Sequence, residues 1–532
     1  MSDIATQLGK KQREISISEF FEKNRHLLGF DNPKRALITS VKEAVDNSLD
    51  ACEEANILPE IYVEIKNINN DEYQIIVEDN GPGIIKSEIP KIFGKLLYGS
   101  KFHTLKMSRG QQGLGISAAV MYSQLTTGKP TIIKSKIKNK NEGYYYELRI
   151  NTQKNQPEIV KFEEIQWEKE QGIRIEMNLI GKYQKGRQSV DEYIELTSIA
   201  NPHLKIIYKL MDEEPRIFER LTNELPKQTK EIKPHPYGVE FGKFINMLKM
   251  SKANSLKKFL KSEFSRISDK VATEIIIKSG IKENKNYKNF SLEEIEKVYK
   301  AMQEVKILAP SAECIAPIGE EILIKGLKNV IEPEFITSIT RPPAVYRGNP
   351  FQIEAAIAYG KEKENIENNG VELNDDNEDD KTLVKVLRVA NRVPLIYQQS
   401  SCAITKTILS INWKSYGLQQ NPGALPTAPA VFLVHIASVW VPYTSEAKEA
   451  IAHYPEIIKE IKLALQECGR RLAMFLKRKK REEEYNKKRM YIEKYIPVVV
   501  EALKEILEFP DKKVSELTNN LTKVLERSKI NE

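Results

Sequence analysis

Between Asn32-Pro33 and Glu54, apolar residues Val41, Val45, Leu49 and Cys52 recur every three or four positions, a spacing that places them on one face of a helix. Asn32 supplies a cap and Pro33 a first-turn proline, so a helix is expected over about Pro33 to Glu54. Alternation of apolar and polar residues predicts strands around 61–66, 73–78, 130–138 and 143–151, with a glycine-rich stretch and a helix through Met121 in their midst. Short polar turns between these strands predict an α/β sandwich with a mostly antiparallel sheet. It ends at "LPKQTKEIKPHPYG" (225–238), which reads as a linker.

Residues 238–309 carry only helical periodicity, in segments at 241–250, 255–264, 268–279 and 291–305. Alternation then returns at 351–359, 383–390 and 431–441, predicting a second α/β unit, followed by a helix from about Glu456 running past Lys480. Its stretch "KRKKREEEYNKKR" (477–489) is too charged to be buried all round, so a projecting stalk is expected. The last segment, 491–532, has a denser apolar face in "YIPVVVEALKEIL", suited to docking on another chain. The insertion 361–381 is acidic, poor in apolar residues and without metal-ligand spacing, and reads as a disordered loop.

Composition changes this picture in three places. A chain of 532 residues has room for about three or four domains, and 41% hydrophobic residues suffice for packed cores. The net charge of +8 is small, but residues 238–309 hold 15 Lys and Arg against 9 Asp and Glu. A basic helical module fits a phosphate backbone, although a solvated lysine-rich surface explains the composition equally well. Cys52, Cys314, Cys402 and Cys468 form no CxxC pair, which argues against disulfides or zinc and for a reducing cytoplasm. No run approaches the roughly 20 apolar residues of a membrane span, so no membrane partner is expected.

Candidate chemistry sits in three stretches. Glu43 and Asn47 lie one turn apart on the first helix: a carboxylate can orient and deprotonate water, and an amide oxygen can bind Mg²⁺. Alone, such a pair is more often a solvated polar face. In "QIIVEDNGPGI" (74–84), Asp79 ends a strand where it can accept a hydrogen bond from an adenine amino group, and Gly83 lets backbone approach a flat ring. An ordinary Asp-Asn-Gly turn would use the same residues. In "YGSKFHTLKMSRGQQGLGISAAVMYSQL" (98–125), Gly99, Gly110, Gly113 and Gly115 lead into a helix starting near Ile116. Free backbone amides and a helix N-terminus there suit phosphate oxygens, and Lys101 adds a positive charge. The spacing matches neither the P-loop nor the dinucleotide fingerprint.

In this order the three stretches resemble the superfamily of gyrase, heat-shock chaperone, histidine kinase and MutL ATPases over about residues 33–125. The resemblance implies ATP and Mg²⁺ as ligands, with Glu43 as general base, Asn47 as metal ligand and Asp79, beside Gly83, as adenine reader. It further implies a phosphate cradle of Ser100, Lys101, Gly110, Gln111, Gln112, Gly113, Leu114, Gly115, Ile116 and Ser117. Over nearly the whole chain, "EAVDNSLDA", "KPHPYG", "SITRPPAVYRGNPF", "NRVPLIY", "NWKSYGL" and "VPYTSEAKEAIA" resemble the B subunits of archaeal type IIB DNA topoisomerases, the topoisomerase VI family.

That second resemblance implies an N-terminal strap (1–20), an ATPase domain (21–230), a helix-two-turn-helix domain (231–309), a transducer domain (310–470) and a C-terminal stalk with helices that bind the A subunit (471–532). It places a transducer lysine on the γ-phosphate at Lys448, where the residues alone suggest a solvent-facing lysine after a helix start at Thr444-Ser445. Trp413, Lys414 and Tyr416 put a cation between two aromatics, which reads either as a phosphate-contacting group or as a half-buried aromatic pair. The resemblance favours contact with double-stranded DNA. The implied activity is an ATP-driven dimer clamp that couples nucleotide state to DNA passage, with cleavage left to the A subunit of topoisomerase VI in an A2B2 heterotetramer. Among rivals, a histidine kinase needs a phosphoacceptor histidine followed by an acid, and none of the six histidines has one next. A MutL-like or chaperone ATPase leaves the basic helical module unexplained, and a non-enzymatic nucleic-acid-binding scaffold would show no ATP turnover.

Overall fold

The computed structural model describes Ile4, Leu8 and residues 15–101, 104–110, 113–282, 285–329, 331–362, 383–508 and 510–527. Most of the expected strap, Gln111, Gln112 and the acidic insertion from 363 onward lie outside the described residues.

After α1 (Ile17–Lys23), the expected helix forms as α2 (Pro33–Glu54), with the Asn32 side chain accepting from the Arg35 N–H. There follow β1 (Glu60–Asn69), β2 (Glu72–Asp79), α3 (Ile89–Gly94), α4 (Gly115–Thr127), β3 (Thr131–Lys136), β4 (Gly143–Asn151), β5 (Gln156–Ile165), β6 (Gly172–Ile180), α5 (Val190–Ala200), β7 (Lys205–Leu210) and β8 (Arg216–Phe218). They build one sheet in the order β5-β4-β3-β6-β2-β1-β7-β8. The β1–β7 pair is parallel and the other described pairs are antiparallel. Period-two residues on one face, Ile61, Val63 and Ile65 with Ile75, Val77, Ile175 and Met177, are fully or almost fully buried in the same core as α2 and α4. Each such aliphatic side chain contributes about 1.5–3 kcal/mol relative to exposure.

The basic module forms α6 (Phe241–Met250), α7 (Leu256–Glu263), α8 (Asp269–Ser279) and α9 (Leu292–Glu304) around Phe244, Phe259, Phe264, Val298 and Met302. Ser255, Ser268 and Ser291 cap the last three helices through their side chains. The stretch 225–238, expected as a linker, is tied down on both sides: the Lys230 N–H donates to the Glu313 carbonyl at 3.0 Å and the Ile232 N–H to the Leu105 carbonyl at 3.1 Å.

The second α/β unit begins with α10 (Glu320–Leu327) and continues through β9 (Ile331–Thr340), β10 (Ala344–Tyr346), β11 (Asn349–Glu362), β12 (Lys385–Ala390), β13 (Val393–Pro394), α11 (Ala403–Ser410) and β14 (Ala430–Ser438). The sheet order is β10-β11-β14-β12-β13, with β9 also paired to β11. One core packs it against α12 (Pro455–Leu507) through Ile457, Ile461, Leu465 and Leu472. A separate cluster joins Leu387 and Leu433 to Leu323 and Leu327 of α10 and to Leu196 and Ile199 of α5, so the two α/β units share a core.

Helix α12 is longer than expected. It has 53 residues, about 80 Å at 1.5 Å per residue, and passes through 491 and Pro497 without a break. Proline removes one helical hydrogen bond, and here Ile496 and Val500 on either side of it are buried, while α13 (Asp511–Arg527) packs on the long helix. Among the described residues no helix is long and apolar enough to cross a membrane.

Candidate functional site

A cavity of about 560 Å³ opens between α2, the end of β2 and the start of α4. Its size is that of a small-molecule site. Asp79, buried at the last position of β2, is part of its wall. Its carboxylate accepts from the Ser48 hydroxyl (2.6 Å) and from the backbone N–H groups of Gly81 (2.9 Å) and Ile173 (3.1 Å). Burial raises this carboxyl above its ordinary range, and the three donors oppose the rise. A carboxylate offers about four acceptor sites, which leaves room for one donor from the cavity, whose walls here include Val77, Ile84 and Ile175. Gly83 also lines it, but its glycine is demanded elsewhere: φ is +73° and a Cβ would lie 2.2 Å from the Lys136 carbonyl oxygen.

Glu43 and Asn47 line the same cavity. Gly115, the first residue of α4, packs against Glu43 so closely that a Cβ would come 1.7 Å from Oε2, so only glycine lets the helix N-terminus reach the carboxylate. A Cβ on Gly110 would lie 3.9 Å from Asn47 Oδ1. Ser100, Gly113, Leu114 and Ile116 also line the cavity. Lys101 also lines the cavity, but its ammonium is paired with Asp50 (2.7 Å) and Glu54 (3.1 Å) on α2. Ser117 is buried, and its hydroxyl donates back to the Leu114 carbonyl at 3.1 Å.

Lys448 arrives from the second α/β unit. The helix start expected at Thr444-Ser445 does not form. Residues 443–451 instead make a loop closed by a Tyr443–Ile451 bridge, with Lys448 at φ +54°. In place of solvent, the lysine is 6% exposed, with Nζ 4.0 Å from Glu43 Oε1 and donating to the Arg109 carbonyl at 3.1 Å. Neighbouring contacts fix the loop: Lys42 Nζ donates to the Ala447 carbonyl (3.1 Å) and Arg35 pairs with Glu449 (2.6 Å).

Sequence reasoning missed the anchor of the glycine loop. The buried Arg109 guanidinium donates to Asp50 (2.8 Å), to both Glu53 oxygens (2.6 and 2.8 Å) and to Asn201 Oδ1 (2.5 Å). Burial works to raise the Glu53 carboxyl, yet Arg109 and His203 hold it far below its ordinary range. The available signal was a lone arginine beside the loop glycines and two acids three residues apart on α2. Asp46 was also passed over. Burial pushes its carboxyl up to about 6, and its Oδ2 has no hydrogen-bond partner among the described residues.

The aromatic pair at 413–416 is corrected as well. Trp413 is fully buried, donates from Nε1 to the Ile408 carbonyl (2.9 Å), and packs on Phe432 with ring centroids 4.6 Å apart. Tyr416 lies over Gly469 of α12, where a Cβ would meet the ring at 3.1 Å. These rings serve a core because burying them gains more than presenting them to solvent; Lys414 alone is exposed.

Known proteins match along the same lines. The family described as "Topoisomerase VI B subunit, transducer" matches residues 310–488, and that of "Histidine kinase-, DNA gyrase B-, and HSP90-like ATPase" matches residues 32–154. The B subunit of type 2 DNA topoisomerase 6 from Archaeoglobus fulgidus is 48% identical over 499 residues, 94% of this chain and 80% of that protein. Its counterpart in Methanococcoides burtonii is 47% identical over 506 residues, covering 95% and 79% of the two chains. The one in Pyrococcus horikoshii is 40% identical over 561 residues, covering 96% and 95%.

Proposed function

This chain belongs to the family of type 2 DNA topoisomerase 6 B subunits, the ATP-driven component of a type II topoisomerase, and on that premise we propose which residues run its ATP cycle. The observation that carries the reading is one cavity lined by Asp79 and by Glu43, Asn47, Gly115 and Lys448. Asp79 accepts from the adenine amino group. The triphosphate lies over the N-terminus of α4 beside Gly113, where the helix dipole favours anions.

Asn47 offers one amide oxygen to Mg²⁺, and no cluster of three His, Cys, Asp or Glu side chains competes for it among the described residues. This donor set suits an ion that keeps most of its ligands as waters and phosphates, and such an ion neutralises part of the phosphate charge. Glu43 takes the proton of a water whose oxygen bonds to the γ-phosphorus as the bond to the β–γ bridging oxygen breaks. Lys448 exchanges the Arg109 carbonyl for the γ-phosphate.

Because Lys448 belongs to the second α/β unit, this exchange makes the position of that unit depend on nucleotide state. Two copies of this chain then close as a clamp around double-stranded DNA, strapped by residues 1–20, with the A subunit of topoisomerase VI docked on α12 and α13 in an A2B2 assembly. Lys414 and the basic helical module supply phosphate contacts. Four unpaired, buried cysteines suit a reducing cytoplasm. The test is sedimentation of the purified chain: AMPPNP with Mg²⁺ is expected to convert monomer to dimer while ADP leaves it monomeric. Dimerisation indifferent to the γ-phosphate removes the sensor role.

A further inference from the structure

Lys448 is not the only hold that the second α/β unit has on the glycine loop. β12 and β13 join through the two-residue turn Asn391-Arg392, where both residues are left-handed, at φ +48° and +66°. Asparagine favours such a turn; arginine does not, and strain of this kind persists only where surrounding contacts hold it. Asn391 is 3% exposed and both ends of its amide are used. Nδ2 donates to the Ser438 carbonyl (2.9 Å) and to the Ser108 carbonyl (3.1 Å), while Oδ1 accepts from the Ser438 N–H (2.9 Å).

The next residue grips the same place. The Arg392 carbonyl accepts from Asn201 Nδ2 (3.1 Å), and Asn201 Oδ1 accepts from the Arg109 guanidinium (2.5 Å). Arg392 is itself fixed by its guanidinium on the Pro317 carbonyl (2.9 Å) and by its N–H on His435 Nε2 (3.2 Å). Ser108 and Arg109, the two residues before Gly110, are therefore held at three points: Asn391 on the Ser108 carbonyl, Arg392 through Asn201 on the Arg109 side chain, and Lys448 on the Arg109 carbonyl.

We infer that Asn391 is a positioning residue for the γ-phosphate-dependent step: by fixing the Ser108 carbonyl, it sets both the carbonyl that holds Lys448 and the course of Gly110, whose N–H lies 3.5 Å from Asp50 Oδ2 and whose Cα faces Asn47. Lys448 acts on the phosphate and Asn391 acts through the loop. The inference rests on the γ-phosphate role proposed for Lys448. It extends that role from one side chain to a turn that moves with the second sheet.

Asn391→Gly removes the donor while suiting the left-handed turn, since glycine adopts positive φ freely. Dissociation constants for ADP and AMPPNP are measured on the full chain, with Lys448→Ala alongside and the melting midpoint as a folding check. Asn391→Gly is expected to weaken AMPPNP about tenfold, the scale of one buried hydrogen bond, and to leave ADP within about twofold. Should that variant not fold, Asn391→Asp keeps the Ser438 N–H bond and is read the same way. Parallel weakening of both nucleotides would make Asn391 merely structural and overturn the inference. An unchanged ratio of the AMPPNP to the ADP dissociation constant overturns it too: if Lys448→Ala raises that ratio, only Asn391 is displaced, and if it does not, the Lys448 reading falls as well.

Discussion

Around Asp79 the side-chain contacts close within the first α/β unit, through Ser48, Gly81 and Ile173. Around Glu43 and the glycine loop the contacts come from both units, with Lys448, Asn391 and Arg392 reaching in from the second sheet. Contacts of the first kind are the same whatever the second sheet does, so they hold a nucleotide without reporting on it. Contacts of the second kind change when the units shift, and only such differential contacts can couple ligand to conformation. On the proposed reading, the contacts of Asp79 serve affinity and those of Glu43 and Lys448 serve signalling.

Two substitutions break this contrast from either side. The larger effect is expected from Glu43→Ala, which should lower steady-state phosphate release by about 10²- to 10⁴-fold, the usual contribution of a general base, with ADP affinity retained. Turnover near the wild-type rate would remove Glu43 from that role. Asp79→Asn should weaken ADP and AMPPNP together, by about 10- to 100-fold, the range for a hydrogen bond to a charged group. A loss confined to AMPPNP in titration calorimetry would place Asp79 in the sensing set and erase the distinction.

Much of the scaffold was legible because its residues obey one clear period. α2 appeared with its boundaries and its cap, and Ser255, Ser268 and Ser291 marked helix starts in the basic module. β5 was not read: it is an edge strand whose "EIVKFEEI" is largely exposed, so no alternation records a buried face. At the site, Glu43, Asn47, Asp79 and the loop glycines announced themselves by type and order. Trp413 misled because a lysine between aromatics looks alike on a surface and over a core. Lys448 is a buried cation only because its loop docks on α2, with Lys42 and Ala447 meeting 405 residues apart, and no local pattern encodes that.

The smallest expected effect tests how the Asn391-Arg392 turn is fastened. His435 is fully buried; Nδ1 lies 2.7 Å from Glu354 Oε2 and Nε2 accepts the Arg392 N–H. Only the neutral ring protonated on Nδ1 satisfies both. Burial holds His435 below its ordinary value of 6.5, with Glu354 pulling upward and Arg392 and Arg109 adding to the depression. The unfolded chain therefore takes up this proton first as pH falls through 6.5, and stability drops, by at most about 1.4 kcal/mol per pH unit for one group. The Glu354 carboxyl is also depressed and adds its loss only as pH falls below 4.5, outside this window. His203 and His235 are lowered by burial too and act in the same direction, so the informative quantity is a difference. Urea unfolding at pH 7.5 and 5.5 should show His435→Asn less stable than wild type at the higher pH, yet losing about 1 kcal/mol less between the two. Equal losses would mean that Arg392 keeps its left-handed turn without a neutral histidine beneath it, and the hold on Arg109 would then rest on Asn201 and Pro317 alone.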